Sequence, residues 1–178
     1  MATIFTHALL PIAAKLTLPP GALPGKLVAL AAAATMLPDL DVIAFAFGVP
    51  YADPFGHRGF THSIAFALAI GFLCTGLAQK LNSQPKVIFW TMFLSVLSHP
   101  LLDSFTNGGL GVAWFWPFSD ARYFMPWQPI EVSPIGIRGF FSSRGVQVLV
   151  SEFMWVIAPL LTVAAGLRFW LSRKAKRP

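Results

Sequence analysis

Four apolar stretches, at about 27–47, 63–77, 87–102 and 146–171, constrain this chain more than any other feature. Nothing inside a bilayer can satisfy a free backbone amide, so long apolar runs are stable there as helices that close their own hydrogen bonds. A crossing takes about 20 residues. The second and third runs are short of that length unless they tilt or extend past their polar ends. The first carries Pro38, Asp39 and Asp41, which predicts a break near Pro38, because proline lacks the N–H and collides with the preceding turn. Residues 4–18 (IFTHALLPIAAKLTL) form a fifth, shorter piece, expected as a half-inserted or interfacial helix. The expected fold class is all-α: a multi-span transmembrane helical bundle of about four spans plus that N-terminal helix, one membrane-embedded domain over 1–178.

Composition agrees. Charged residues make up 11% of the chain and mean hydropathy is +0.66, whereas a soluble domain carries about 25% charged residues. The net charge of +6 is densest in SRKAKRP at 172–178, where Arg173, Lys174, Lys176 and Arg177 follow an apolar run. That placement marks the cytoplasmic end of a span and not a nucleic-acid surface. A single cysteine, Cys74, excludes an intramolecular disulfide and reads as a small buried hydrophobe. The N-terminus lacks the pattern of a cleavable signal: no basic residue precedes Lys15, and Pro11, Pro19, Pro20 and Pro24 interrupt its apolar stretch.

Between the third and fourth runs lies a loop, 104–145, rich in proline, glycine and aromatics. Its Trp114, Trp116 and Trp127 suit an interfacial belt and predict a cap at the membrane surface, ordered by packing. Lys80 and Lys86 in the short connection between runs two and three, with the basic tail, assign those ends to the cytoplasm. The other ends, with the loop, then share the non-cytoplasmic face, although Arg122, Arg138 and Arg144 in the loop pull against that assignment.

On that face the polar groups gather. His57 and His62 in FGHRGFTHS precede run two, the first expected on a loop and the second in the first helical turn. His99 and Asp103 in SHPLLDSF end run three, four apart and so on one helical face, with Pro100 between them expected to disturb the helix. Asp39 and Asp41 in LPDLD suit an extended or broken segment with both carboxylates turned the same way. His7 opens the N-terminal piece and joins them if that piece enters from the same side. Ionisable groups at membrane depth are costly and usually pair or mark function. Imidazoles with carboxylates suit a divalent metal, Zn²⁺ or Mn²⁺ foremost, and no thiolate calls for a softer ion. Seven such groups exceed the three protein ligands of a mononuclear catalytic zinc, so either two ions share them or several orient the ligands from behind.

Two further residues are singled out. Arg58, beside the histidines, offers a fork of donors suited to an anionic oxygen, and is equally read as an arginine snorkelling to the head groups. Glu152 near the start of run four is open between a ligand, a proton-relaying base and a buried partner for Arg58. Glu131 is read as structural, pairing with Arg122 or Arg138.

The Thr6–His7 pair, LPDLD, GHRGFTHS, SHPLLD and WPFSDARYFMPW, in that order over about residues 1–155, resemble the YdjM-like family of bacterial inner-membrane predicted metal-dependent hydrolases. The resemblance implies a multi-pass protein of the inner membrane whose ligands fall on His7, Asp39, Asp41, His57, His62, His99 and Asp103. The expected activity is hydrolysis by a metal-activated water of a phosphoester or acyl bond in a small or lipid-like substrate. Arg58 would steady the developing charge, Glu152 or a spare aspartate would relay the proton, and membrane lipids would be the partners. Two other classes use the same groups: a proton- or ion-coupled transport module, and a non-catalytic scaffold braced by metal.

Overall fold

The computed structural model describes residues 1–134 and 137–174. Two short helices, α1 (Ile4–His7) and α2 (Leu9–Thr17), lead into α3 (Gly25–Ala34), which gives way at Pro38 to a 3-10 helix, Pro38–Phe47. A turn-rich segment and a 3-10 turn, Phe60–His62, precede α4 (Ile64–Cys74), which continues through Thr75–Leu77 into α5 (Ala78–Leu81). Then come α6 (Pro85–Ser104), the loop, α7 (Ile137–Phe140), α8 (Ser143–Glu152), a π turn at Phe153–Ile157, and α9 (Ala158–Lys174). Four of these runs are long and apolar enough to cross a membrane: Gly25–Phe47, Ile64–Leu81, Pro85–Ser104 and Ser143–Lys174. The 14-residue stretch Ile4–Thr17 is shorter, about 21 Å of helix at 1.5 Å per residue.

Local chemistry sets the boundaries. Ser63 caps α4, its hydroxyl accepting the Phe66 N–H at 3.0 Å, and such caps contribute about 1 kcal/mol. Pro85 opens α6, where a missing N–H costs nothing. Ser142 caps α8 by accepting the Arg144 N–H, so the last span starts at Ser143, inside the stretch expected as loop. The rest of that loop is held by two isolated bridges, Thr106 to Ile130 and Val112 to Tyr123.

α6 is the central element. Ile88, Met92, Val96, His99 and Asp103, spaced by three or four residues, are all buried on it. The lower part of this stripe meets Leu27, Val28 and Ala31 of α3 and Ala67 of α4 in the apolar core. The upper part presents the imidazole and the carboxylate. One helical face thus carries both the packing and the polar centre. The helix runs unbroken through Pro100, contrary to the expected disturbance. A proline near the helix end forgoes a single backbone bond, and outside partners hold the residues flanking it. His99 Nδ1 donates to the Thr35 carbonyl at 2.7 Å, and Arg58 Nε donates to Asp103 at 3.1 Å.

Because α4 and α6 are antiparallel, Lys80 and Lys86 lie at the end of the bundle away from His62 and His99. α2 descends to the same far end, where Arg168 Nη1 donates to the Leu16 carbonyl and Lys15 to the Leu23 carbonyl. Arg173 and Lys174 finish α9 there, while Lys176 and Arg177 lie outside the described residues. Cys74 is half-buried against the core.

The turn before His62 tolerates no side chain at two points. A Cβ on Gly56 would come within 2.2 Å of the Pro50 carbonyl oxygen, and one on Gly59 within 2.1 Å of that of Pro54. We expect Gly59→Ala to lose about 1–3 kcal/mol through this overpacking. A lowered unfolding temperature in detergent would report it, with Gly76→Ala, where a Cβ meets nothing within 4 Å, as the unaffected control.

Candidate metal centre

The Pro38 break sends the chain from α3 into 3-10 geometry, at three residues per turn, so residues two apart point about 240° from each other. Asp39 and Asp41 therefore do not turn the same way, as an extended segment would have it. They approach opposite nitrogens of one imidazole: Asp39 lies 3.7 Å from His62 Nε2, and Asp41 lies 3.2 Å from His62 Nδ1. His62 sits in the 3-10 turn just ahead of α4, one step earlier than the first helical turn expected for it.

Four side chains converge on the Nε2 side. His62 Nε2 and His99 Nε2 are 3.2 Å apart. Asp39 Oδ1 is 3.3 Å from His99 Nε2, and Asp103 Oδ2 is 3.6 Å and 3.9 Å from the two imidazoles. One ligand atom from each of Asp39, His62, His99 and Asp103 lies within 4.8 Å of all the others, and all four residues are buried.

The second nitrogen of each ring is already engaged. His99 Nδ1 donates to the Thr35 carbonyl, which leaves Nε2 as the ring's acceptor. His62 Nδ1 faces Asp41 and the Thr61 hydroxyl at 3.0 Å. His99 Nε2, as an acceptor, and two carboxylates thus meet around His62 Nε2, which has a single proton to offer when His62 is charged. Both Asp39 oxygens and both His7 ring nitrogens are buried without a hydrogen-bond partner. Such orphaned polar atoms cost about 1–3 kcal/mol each unless something satisfies them, and hard oxygen and imidazole ligands in this array fit a divalent cation.

Asp41 belongs to a second group with His57 and His62, but protein donors surround it. Its Oδ1 is 2.6 Å from His57 Nδ1, and its Oδ2 accepts from the Arg58 N–H at 3.0 Å and from the Thr61 hydroxyl at 2.8 Å. Arg58 reaches this place with a left-handed backbone, φ 63°, a conformation rare for a residue with a Cβ. Burial opposes charge on His62, yet the carboxylates of Asp103, Asp39 and Asp41 outweigh it and push its pKa up to about 10.

His7 falls beside the first group and within neither. Its ring stacks on His99 with centroids 3.7 Å apart, and its Nε2 is 3.5 Å from Asp103 Oδ1. Arg58 is fully buried, and its fork is occupied by the protein. Nε donates to Asp103, Nη1 to the Gly108 carbonyl and Nη2 to the Thr106 hydroxyl.

Glu152 is neither among the gathered ligands nor paired with Arg58. It accepts from the Thr3 N–H and from the hydroxyls of Thr3 and Thr6, both at 2.6 Å. Glu131 pairs with Arg144 at 2.7 Å, not with Arg122, whose guanidinium caps the carbonyls of His57, Tyr51 and Asp53. The Arg138 side chain lies outside what is described.

Sequence reading passed over the groups that orient the ligands. Thr61 was signalled by adjacency, directly before His62. The Thr35 carbonyl carries no side-chain signal. Thr3 and Thr6 flank His7 but meet a carboxylate nearly 150 positions away, which spacing cannot show.

A family model described as YdjM inner membrane protein matches residues 1–175. The inner membrane protein YbcI of Escherichia coli (strain K12) is 42% identical over 174 residues, covering 97% of this chain and 100% of that protein. No solved structure matches. Because Asp41 reaches the Nε2 cluster through His62 and through the Arg58 backbone, as a partner of its members, we expect Asp41→Asn to keep the fold and to weaken divalent-metal binding at that cluster about 10–100-fold, the usual effect of losing an orienting partner. Competition with a chromogenic chelator measures it.

Proposed function

The chain belongs to the YdjM family of inner membrane proteins, and we propose that it is a membrane-bound metal-dependent hydrolase acting on a phosphoester or acyl bond of a lipid or lipid-linked substrate. The observation that carries this reading is the meeting of two Nε2 atoms and two carboxylates at 3.2–3.9 Å, with each ring's other nitrogen already committed. Asp39, His62, His99 and Asp103 would hold one cation, Zn²⁺ or Mn²⁺. A single ion fits better than two, because Asp41 is taken up by His57, Arg58 and Thr61.

Such an ion supplies Lewis acidity, lowering the pKa of a bound water to about 7 and polarising the scissile bond. The protein's own groups do the rest. Thr35 and Asp41 keep His99 and His62 presenting Nε2. Arg58 holds Asp103 in place and acts through it, since its donors are turned to the protein. Asp39, whose two oxygens lack donors, would hold the cation through one of them and have the other to take a proton from the attacking water.

The surroundings support that substrate class. A cavity of about 330 Å³ lined by Ala2, Ile4, Phe5, Pro134, Phe140 and Phe141 adjoins the centre, since the Ala2 N–H donates to Asp103 at 2.8 Å. An apolar chain beside a polar head fits this pairing. The centre lies on the non-cytoplasmic side in this reading. Lys15, Lys26, Lys80, Lys86 and Arg168 lie toward the far end, while Arg58, Arg122 and Arg144 on the near side are tied to Asp103, to carbonyls and to Glu131.

Protein purified in detergent should carry about one metal per chain by elemental analysis. EDTA should abolish hydrolysis of a phosphodiester or ester probe, and His99→Ala should remain folded without metal or turnover. Undiminished turnover by metal-free protein would refute the metal-dependent mechanism, and an unfolded His99→Ala would point to a scaffold. Loading also has to displace the proton that His62, with its pKa near 10, holds at neutral pH. Calorimetry at pH 7.5 in buffers of different ionisation heat should give about one proton released per Zn²⁺ bound.

A further inference from the structure

Among the described residues, Glu152 is the buried carboxylate that the proposed centre leaves unused. It is fully buried and ends α8, directly before the π turn at Phe153–Ile157. Such turns insert an extra residue into a helix and recur at functional places. Its hydrogen-bond donors come from residues 3 and 6: the Thr3 N–H, the Thr3 hydroxyl and the Thr6 hydroxyl. One residue away, the Ala2 N–H donates to Asp103. Residues 2–6 are therefore strapped between a carboxylate of the metal centre and a carboxylate of the last span.

The strap ends on His7, which is 1% exposed and stacked on His99. Neither His7 nitrogen has a hydrogen-bond partner, so no polar contact of its own ring fixes where the imidazole points. Its position, with Nε2 3.5 Å from Asp103, is set by the stacking and by the backbone that Glu152 holds.

We propose that Glu152 is a positioning residue: by clamping Thr3 and Thr6 it sets His7 against His99 and Asp103 as the third imidazole of the metal centre. The inference rests on the reading of that centre as a cation site. It gives Glu152 a role other than ligand, base or partner of Arg58.

The test is a double-mutant cycle on the full-length protein in detergent, with Zn²⁺ affinity measured by chelator competition. Glu152→Ala and His7→Ala should each weaken Zn²⁺ binding about tenfold, the lower end of the range for an orienting partner. The double variant should bind like His7→Ala alone, because the clamp acts only through that ring. Hydrogen–deuterium exchange over residues 2–10 should rise in Glu152→Ala and stay low in His7→Ala.

A Glu152→Ala protein that binds Zn²⁺ as tightly as wild type, or losses that add in the double variant, would overturn the proposal. Should Glu152→Ala fail to fold, Thr3→Val/Thr6→Val removes the two hydroxyl donors and replaces it in the same cycle. Wild-type protein that takes up no Zn²⁺ would overturn the metal reading itself, a result separate from a failed cycle.

Discussion

Arg58, His62, His99, Asp103 and Glu152 are all fully buried, and everything else in this protein accommodates that fact. An ionisable group cut off from water costs several kcal/mol unless partners at hydrogen-bond range replace its solvent. In an apolar bundle those partners have to come from the chain itself, and here they come from distant stretches. Asp103 alone draws on Ala2, His7, Arg58, His62 and His99. A bundle that must bring residues 2, 58 and 103 to one carboxylate has little freedom in how its helices are ordered.

The apolar core and the polar centre are consequently not separable layers. On α6 the side chains that bury against α3 and α4 pass within one turn to those that meet Asp39 and His62. Any rotation of the helix that preserved its packing but misplaced His99 would strand a charge. The glycines of GHRG serve the same end from the loop side, where the chain folds so tightly that Gly56 and Gly59 lie against carbonyl oxygens. That turn lets Arg58 present its amide to Asp41 and its guanidinium to Asp103.

Much of this was legible from residues alone. Four apolar runs of near-spanning length leave few alternatives to a membrane bundle, and the four-residue step from His99 to Asp103 places both on one face whatever else surrounds them. The break at Pro38 follows from the missing amide. What the sequence hides is pairing across long separations. Arg58 looked like a group turned toward substrate because an arginine beside histidines has no visible partner. Its partners are Asp103, Thr106 and Gly108, 45 or more positions away. Glu152 was open between three roles for the same reason, and the donors it found, two threonines at the other end of the chain, offered no charge to draw attention to them. Pro100 misled in the opposite direction: local rules predict a disturbance, and tertiary contacts on both sides of it keep the helix whole.

The charges themselves bear on what the centre holds. Counting side chains, Asp39, Asp41 and Asp103 face a single guanidinium, Arg58, and Arg58 is paired with Asp103. Two carboxylates are left against neutral imidazoles in a site with almost no access to water. One proton, resting on His62, offsets half of that deficit, and the carboxylates around His62 hold it there with a pKa near 10. A divalent cation held by Asp39, His62, His99 and Asp103 would offset all of it and would remove the need for the proton. Proton and metal therefore compete for one position. A proton relay built of the same residues makes a different demand on His62. In a relay His62 would need a proton it can release near neutral pH, whereas the carboxylates of Asp103, Asp39 and Asp41 favour keeping this one.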